Sequence, residues 1–455
     1  MRFSASRRIL FISQAASPVG GVETWLDRIV AACGQAGGEP HVGLVRGAKV
    51  HDPDRFREQH SGLPVLEIDG RGLNAEGRVR AVVRAIRRLQ PDICVPLTLV
   101  DSHEAACRAK AAGLPVRYLQ SIHGNVSAQI ADAWRYGSWA DLAVCPANLT
   151  TRLLAAGGMP GDRLRRVPNG AEPPRYARRS RPAGSPIRLA FVGRLAGNEK
   201  RVGDLVPLLD ELDRLQVGYV LRIAGDGPLR AQLEQAVAVR RLAGCVTFTG
   251  RLSQAELYEH IYPDTDVLLM FSESEAFPVA VVEAMMHGLV AVSSRFIGAQ
   301  AEGLLREGKT ALFFNVGDLR TAAENIKRLA ADEAAWRQMS AQAQAAVATG
   351  YSWEACCRSW LQAFEEVMHL PLRLGTPLSN RPLRGGGLLD RLGVSPGVRD
   401  FLRRSRIRLL GVPAAQIGGE EWPFVNTFHA PGTLAEIEAL SRRLDAGEAD
   451  SGVKA

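Results

Sequence analysis

Residues 272–288 read SESEAFPVAVVEAMMHG and follow directly on the apolar run VLLMF at 267–271. Five consecutive apolar residues are strand-sized, and a run of that kind suits a strand buried on both faces of a parallel sheet. Pro278 suits the first turn of a helix, where its missing donor costs nothing. That places Glu275 in the entry loop and Glu283 inside the helix, eight positions further on. One carboxylate can then grip hydroxyls at the helix mouth while the other grips hydroxyls about two turns in. The amides at the mouth, near Phe277 and Val279, face an anion between them. The plainer reading makes Glu275 a helix-start charge and Glu283 a surface residue.

Working outward, the same strand-then-turn pattern recurs. IRLAFV at 187–192 runs into Gly193, Arg194 and Leu195, with Lys200 where the next helix is expected to start. A tight turn followed by two cations near a helix N-terminus offers fixed charge and orphan amides, the requirements of a diphosphate. As an isolated pair, Arg194 and Lys200 would read better as solvated surface charges, and it is their position directly after a strand that favours the ligand reading. LFIS at 10–13 leads to SPVGGVET, whose Gly20 and Gly21 permit close backbone approach at the start of a helix. A plain strand-to-helix turn explains those two glycines too.

The alternation continues through HVGLV, DICVPL, VRYLQS and LAVCP in the first half, and YVLRIAG, VTFTG and LVAVSS in the second. Strands alternating with helical patterns imply parallel sheets with right-handed crossovers. The fold class is therefore α/β, with two doubly wound domains. Residues 1–180 form the first and 181–350 the second, joined through the breaker-rich PPRYARRSRPAGSP at 173–186, read as a linker or exposed crossover. YSWEACCRSWLQAFEEVM, within 351–370, has helical spacing and reads as a closing helix. Residues 371–455 form an extension of unassigned role, rich in Gly, Pro and Arg with an amphipathic piece around 398–410.

Composition narrows the function classes. The chain has 455 residues, 46% hydrophobic and 23% charged, which is ordinary globular usage. No apolar run reaches a membrane-spanning length, and ILFIS gives way at Gln14 to a Pro/Gly loop, so the N-terminus reads as a first strand and not a secretion signal. The net charge of +8 suits anionic ligands or surfaces, while 6% aromatics and the lack of a recognition-helix pattern argue against nucleic acid. Seven scattered cysteines without a CxxC pair read as free thiols in a reducing cytoplasm.

Other candidates read as structural. Asp264 and Asp266 form a DxD triplet leading straight into VLLMF, Asp52-Pro53-Asp54 reads as a turn, and His103-Glu104 lacks the second His of a zinc-protease helix. His287 before Gly288 reads as a helix-end residue. RVRAVVRAIRRL at 78–89 and RDFLRRSRIRLL at 399–410 each mix apolar and basic positions. Each is either an ordinary packed helix with a solvated rim or a surface that also meets anionic lipid.

In order and spacing these landmarks resemble one family. SEAFPVAVVEAM is similar to the E-x7-E signature of retaining GT-B glycosyltransferases of family 4, also described as group 1. GGVET, SIHG at 121–124, VPNG at 167–170, FVGRL with Lys200, IAGDGPL, FTGRLS and YSW follow in the family's order, over roughly residues 8–368. The resemblance implies GT-B architecture and a retaining, metal-independent hexosyltransferase without cofactor. It would move a sugar from a UDP- or GDP-sugar to a saccharide or lipid-linked acceptor, in envelope, exopolysaccharide or lipopolysaccharide assembly. It implies that Arg194 and Lys200 hold the diphosphate, Glu275 the sugar hydroxyls and Glu283 the ribose, and that His123 sits under the donor sugar. Gly20, Gly21 and Gly193 would line the phosphate side, with Phe277, Pro278 and Val279 beside the sugar and Arg251 and Leu252 at the base. The leaving phosphate would accept the acceptor's proton. A cytoplasmic protein, peripheral on the inner membrane face, is the expected setting. Two departures stand out: Ala276 where the family has glycine, and Gly298-Ala299-Gln300-Ala301-Glu302 for its later glycine-pair turn. The alternatives are a nucleotide-sugar-binding regulator without turnover, or a sugar-nucleotide epimerase.

Overall fold

A computed structural model describes residues 2–13, 21–47, 52–97, 100–182, 184–197, 199–376, 392–411, 429 and 432–447. Gly20 lies outside them, as do parts of the extension. The first domain is a seven-stranded parallel sheet. Its strands are β1 (Arg8–Ser13), β2 (Glu39–Arg46), β3 (Val65–Asp69), β4 (Ile93–Pro96), β5 (Arg117–Ser121), β6 (Leu142–Cys145) and β7 (Leu164–Arg166), in the order β3-β2-β1-β4-β5-β6-β7. The second is six-stranded, from β8 (Ile187–Val192), β9 (Tyr219–Ala224), β10 (Val246–Gly250), β11 (Val267–Met270), β12 (Val290–Ser294) and β13 (Ala311–Phe314), in the order β10-β9-β8-β11-β12-β13. The central strands are mostly apolar because helices cover both faces. β1 buries five of its six residues and β11 all four.

Strand order reverses between β1 and β4 in one sheet and between β8 and β11 in the other. Helices leaving adjacent strands there go to opposite faces, which opens a crevice at the carboxyl ends. Both crevices face one interdomain cleft, since Gly21 at the start of the helix Gly21–Gln35 points at Val279 in the second domain.

The helix Trp353–His369, capped by Ser352 accepting from the Ala355 amide at 3.1 Å, returns to the first domain. Trp360 lies 4.8 Å from the Trp25 ring, and Phe364 lies 5.9 Å from the Phe11 ring. The VPNG turn makes room for this return: a Cβ on Gly170 would come within 2.4 Å of the Trp353 amide nitrogen.

The segment joining the domains runs exposed for most of its length, as a linker or crossover should, but it is pinned at Arg178. Arg178 donates to Asp266 at 2.7 Å and stacks 4.4 Å over Trp336, while Arg188 reaches both Asp264 and Asp266 at 2.8 Å. Both aspartates of the DxD triplet are thus taken up by arginines that tie the linker to β8 and β11, and they read as structural. The extension packs on the first domain. The helix Thr433–Asp445 buries Ile437, Leu440 and Leu444 in its core, and the helix Pro396–Leu410 lies against the helix Ala75–Leu89.

Candidate functional site

The signature helix is Val279–Met286. Pro278 sits at its N-cap, one position earlier than a first-turn proline, so residues 275–278 approach the helix as an irregular loop. Glu283 is accordingly the fifth helical residue, a little over one turn in and not two, because four of the eight intervening steps are not helical. The mouth of this short helix opens into the cleft beside Gly21.

Glu275 lies on the wall formed by that loop. Its Oε1 accepts from Lys200 Nζ and from Ser272 Oγ, the latter at 2.5 Å. Its backbone is fixed from three sides. The amide donates to the Ile297 carbonyl at 3.2 Å, and the carbonyl accepts from Asn125 Nδ2 of the first domain at 2.9 Å. Gly298 adopts a φ of 111°, and a Cβ there would stand 2.5 Å from the same carbonyl. A side chain at 298 would therefore strain the backbone and push Glu275 at once.

Lys200 lies in a turn and not at a helix start. A short 3₁₀ turn, Val202–Asp204, separates it from the helix Leu205–Arg214, and Arg201 takes a left-handed conformation, φ 44°. What places Lys200 at the cleft is its ion pair with Glu275, not the amides of a helix mouth. Arg194 is exposed on the turn after β8, and that turn is closed by the Gly193 amide donating to the Ala224 carbonyl at 3.0 Å. Near it, in the first domain, the Glu23 carboxyl is pushed up by burial, an effect that its own backbone hydrogen bond and, more weakly, the Arg194 charge offset in part.

His123 follows β5. Its Nε2 lies 2.8 Å from Ser121 Oγ and its ring 4.5 Å from Trp25, edge-on. Burial lowers its pKa to about 4, which keeps the imidazole neutral, and its Nδ1 is buried with no hydrogen-bond partner. A pocket of about 120 Å³ adjoins it, with Gln129 and Asp132 as polar lining.

Glu283 is buried, neither surface-exposed nor open to the cleft on every side. Gln254 Nε2 donates to it at 2.6 Å, Tyr258 OH at 3.3 Å and Tyr262 OH at 3.0 Å. Burial raises its pKa, and these donors oppose the rise. His287 is the C-cap of the signature helix, packed 4.6 Å from Tyr258, and burial lowers its pKa to about 4. Phe277 stacks 6.1 Å from Tyr351. Arg251 is exposed just beyond β10, with Leu252 half-buried behind it.

The structure therefore brings Glu275, Lys200, Phe277, Val279 and Gly21 together, with Arg194 on the same cleft. Asn125, Ser272 and Glu23 join them without having been singled out in the sequence. Asn125 lies one position past the SIHG motif and Ser272 opens the SES run, so one adjoins and the other belongs to a motif already read. Glu23, inside GGVET, needed the fold to bring it near Arg194.

Residues 19–175 match the family described as Glycosyltransferase Family 4, and residues 186–332 the one described as Glycosyl transferases group 1. The sulfoquinovosyl transferase SQD2 of Arabidopsis thaliana is 31% identical over 60% of this chain and 56% of its own length. The amylovoran biosynthesis glycosyltransferase AmsK of Erwinia amylovora is 28% identical over 49% and 55%. The chain thus spans little more than half the length of these two relatives. Among solved structures, the lipopolysaccharide outer core galactosyltransferase WaaB superposes with a TM-score of 0.64 at 19% identity, over 79% of this chain and 99% of that one. HepE of Anabaena, in complex with UDP and glucose, gives 0.63 at 17%, over 79% and 99%. One of these families matches the first domain and the other the second, and the two facing parallel-sheet domains share the GT-B architecture of the solved structures.

Proposed function

We propose that the protein transfers a sugar from a nucleotide-sugar donor, with retention of configuration, to a saccharide or lipid-linked acceptor in envelope or exopolysaccharide assembly. The observation that carries this reading is the convergence on one cleft of Glu275, tied to Lys200 and Ser272, with Arg194 and the mouths of two helices. Relatives named for glycolipid and exopolysaccharide synthesis, and a neighbour holding UDP and glucose, support the donor and acceptor classes.

In this reading the donor diphosphate replaces Glu275 as the partner of Lys200 and draws Arg194 onto its second phosphate, so that both cations neutralise charge as it develops on the leaving group. Released from Lys200, Glu275 accepts hydrogen bonds from the sugar hydroxyls, while its backbone stays fixed by Ile297, Asn125 and Gly298. Glu283 receives the ribose hydroxyls, which share its oxygens with Gln254, Tyr258 and Tyr262. Neutral His123 lies beneath the sugar on the acceptor side, and the leaving phosphate takes the acceptor's proton, so no second carboxylate is needed. Charge compensation by Arg194 and Lys200 makes the donor site independent of metal.

The test is the configuration of the sugar released when donor is slowly hydrolysed, read by proton NMR before mutarotation. With an α-linked UDP-hexose the α-anomer appears first; first appearance of the β-anomer would sink the retaining assignment.

A further inference from the structure

The helix Pro396–Leu410 lies outside both regions matched by the families and is packed with its polarity inverted. Its inward side is polar. Asp400 accepts from the Asn74 amide at 3.0 Å, Arg404 donates to the Asp69 carbonyl at 3.3 Å, and Ile407 lies over Gly72 beside the stems of Arg403 and Arg404. Outward, at i, i+3, i+4 and i+11, stand Val398 (51% exposed), Phe401 (70%), Leu402 (51%) and Leu409 (81%), with Leu410 (69%) next to them. A helix on a water-facing surface turns such a stripe toward the core. Here five large apolar side chains stand in solvent within four turns, while the other exposed large apolar groups among the described residues are scattered along the chain.

The charges around the stripe identify its occupant. On a helical projection Arg406 and Arg408 flank it on either side, and both are exposed. The adjoining helix Ala75–Leu89 adds exposed Arg84, Arg87 and Arg88. A second copy of this face would bring arginines against arginines, whereas a bilayer with anionic headgroups offers phosphates to the arginines and acyl chains to the stripe. No helix among the described residues is long and apolar enough to cross a membrane, so the contact is interfacial.

We propose that the helix Pro396–Leu410 docks the protein on an anionic membrane surface, lying in the interface plane with Phe401, Leu402 and Leu409 inserted and Arg406 and Arg408 on lipid phosphates. The inference stands apart from the donor chemistry, since no residue of the cleft takes part.

The full chain is sedimented with vesicles of phosphatidylglycerol and phosphatidylcholine in equal parts, and with vesicles of phosphatidylcholine alone, at low salt. The wild type partitions onto the mixed vesicles. The triple variant Phe401→Ser, Leu402→Ser, Leu409→Ser partitions at least ~10-fold less, and Arg406→Gln with Arg408→Gln loses the preference for anionic vesicles. The replaced side chains are exposed, so circular dichroism and donor binding stay at wild-type values and separate lost docking from lost folding. A wild type that stays in the supernatant, or a triple variant that sediments as well as wild type, overturns the proposal. So does a wild-type dimer, seen by light scattering, that the triple variant converts to monomer while vesicle binding is absent.

Discussion

At Glu275, one carboxylate oxygen serves two donors, and its backbone is held by groups from both domains. Replacing it with glutamine keeps the shape and removes the charge that pairs with Lys200 and that, in the proposed function, the sugar hydroxyls take over. Glu275→Gln is expected to lower kcat by about 100-fold or more, in the range seen when one donor to a developing charge is lost, with the melting temperature unchanged within a few degrees; steady-state kinetics with a thermal melt checks both. Gly298 gives a complementary prediction. Gly298→Ala meets both a φ of 111° and a carbonyl 2.5 Å from the new Cβ. It should destabilise by about 1–3 kcal/mol and depress turnover as well, because the carbonyl it displaces belongs to Glu275. Urea unfolding together with kcat decides whether the two losses travel together.

The histidines set a pH limit of definite sign. Burial holds His103, His123 and His287 at pKa values of about 4, below the ordinary value of about 6.5. Between those two values the unfolded chain binds protons that the folded histidines refuse, so their contribution to stability falls as pH drops from about 6.5 toward 4. Burial raises the carboxyls of Asp132, to about 7, and of Glu23, Glu283 and Asp400, which act with the opposite sign. The histidine contribution is therefore read as a difference: the urea midpoint of His287→Gln should gain on that of the wild type as pH falls from about 6.5 to 4, and a difference that stays constant or shrinks would contradict the burial of that ring.

Among the elements, the closing helix ties the end of the second domain to the core of the first. Trp360 is 2% exposed and packs on Trp25 and Phe364. Trp360→Ala should therefore cost about 3–5 kcal/mol, measurable as a lowered denaturant midpoint. The last described helix, Thr433–Asp445, works differently. Its Asp445 accepts from the amides of Gln300 at 3.0 Å and Ala301 at 2.8 Å, and its core side chains sit in the first domain. Glu302 at the end of the same turn is held by Arg166 and by the Asn148 amide at 3.0 Å. The turn that follows Gly298 is thus clamped to the first domain from two directions. Asp445→Ala should weaken donor binding several-fold while leaving the first domain folded, which calorimetry of the variant would reveal.

Legibility in the sequence followed the same scale. The sheets were readable because VLLMF, IRLAFV and ILFIS are short, continuous apolar runs between turn signals, a pattern that buried parallel strands impose on any sequence. Glu275, Lys200 and Glu283 were readable as members of motifs, but their surroundings were not. Nothing local says that Tyr258, Tyr262 and Gln254 close over Glu283, since those contacts span more than twenty residues of chain. The irregular entry to the signature helix was missed because Pro278 fits the N-cap as well as the first turn. The arginine-rich linker is exposed as read, but its anchoring through Arg178 was not legible because Asp266 lies nearly ninety residues away.

At the scale of the whole molecule, two sheets reverse their strand order at points that face each other, the closing helix returns the chain to its first domain, and the extension fastens both. The cleft is the consequence, and its occupancy by a nucleotide sugar is the central claim. Calorimetric titration of the protein with UDP-, GDP-, ADP- and dTDP-sugars tests it most directly, alongside the Arg194→Ala, Lys200→Ala double variant. The account predicts saturable binding of a single donor type, lost or weakened at least ~100-fold in the double variant, where two charge-assisted contacts to phosphate are missing. Absence of binding across the panel, or binding that the double variant leaves untouched, would contradict it.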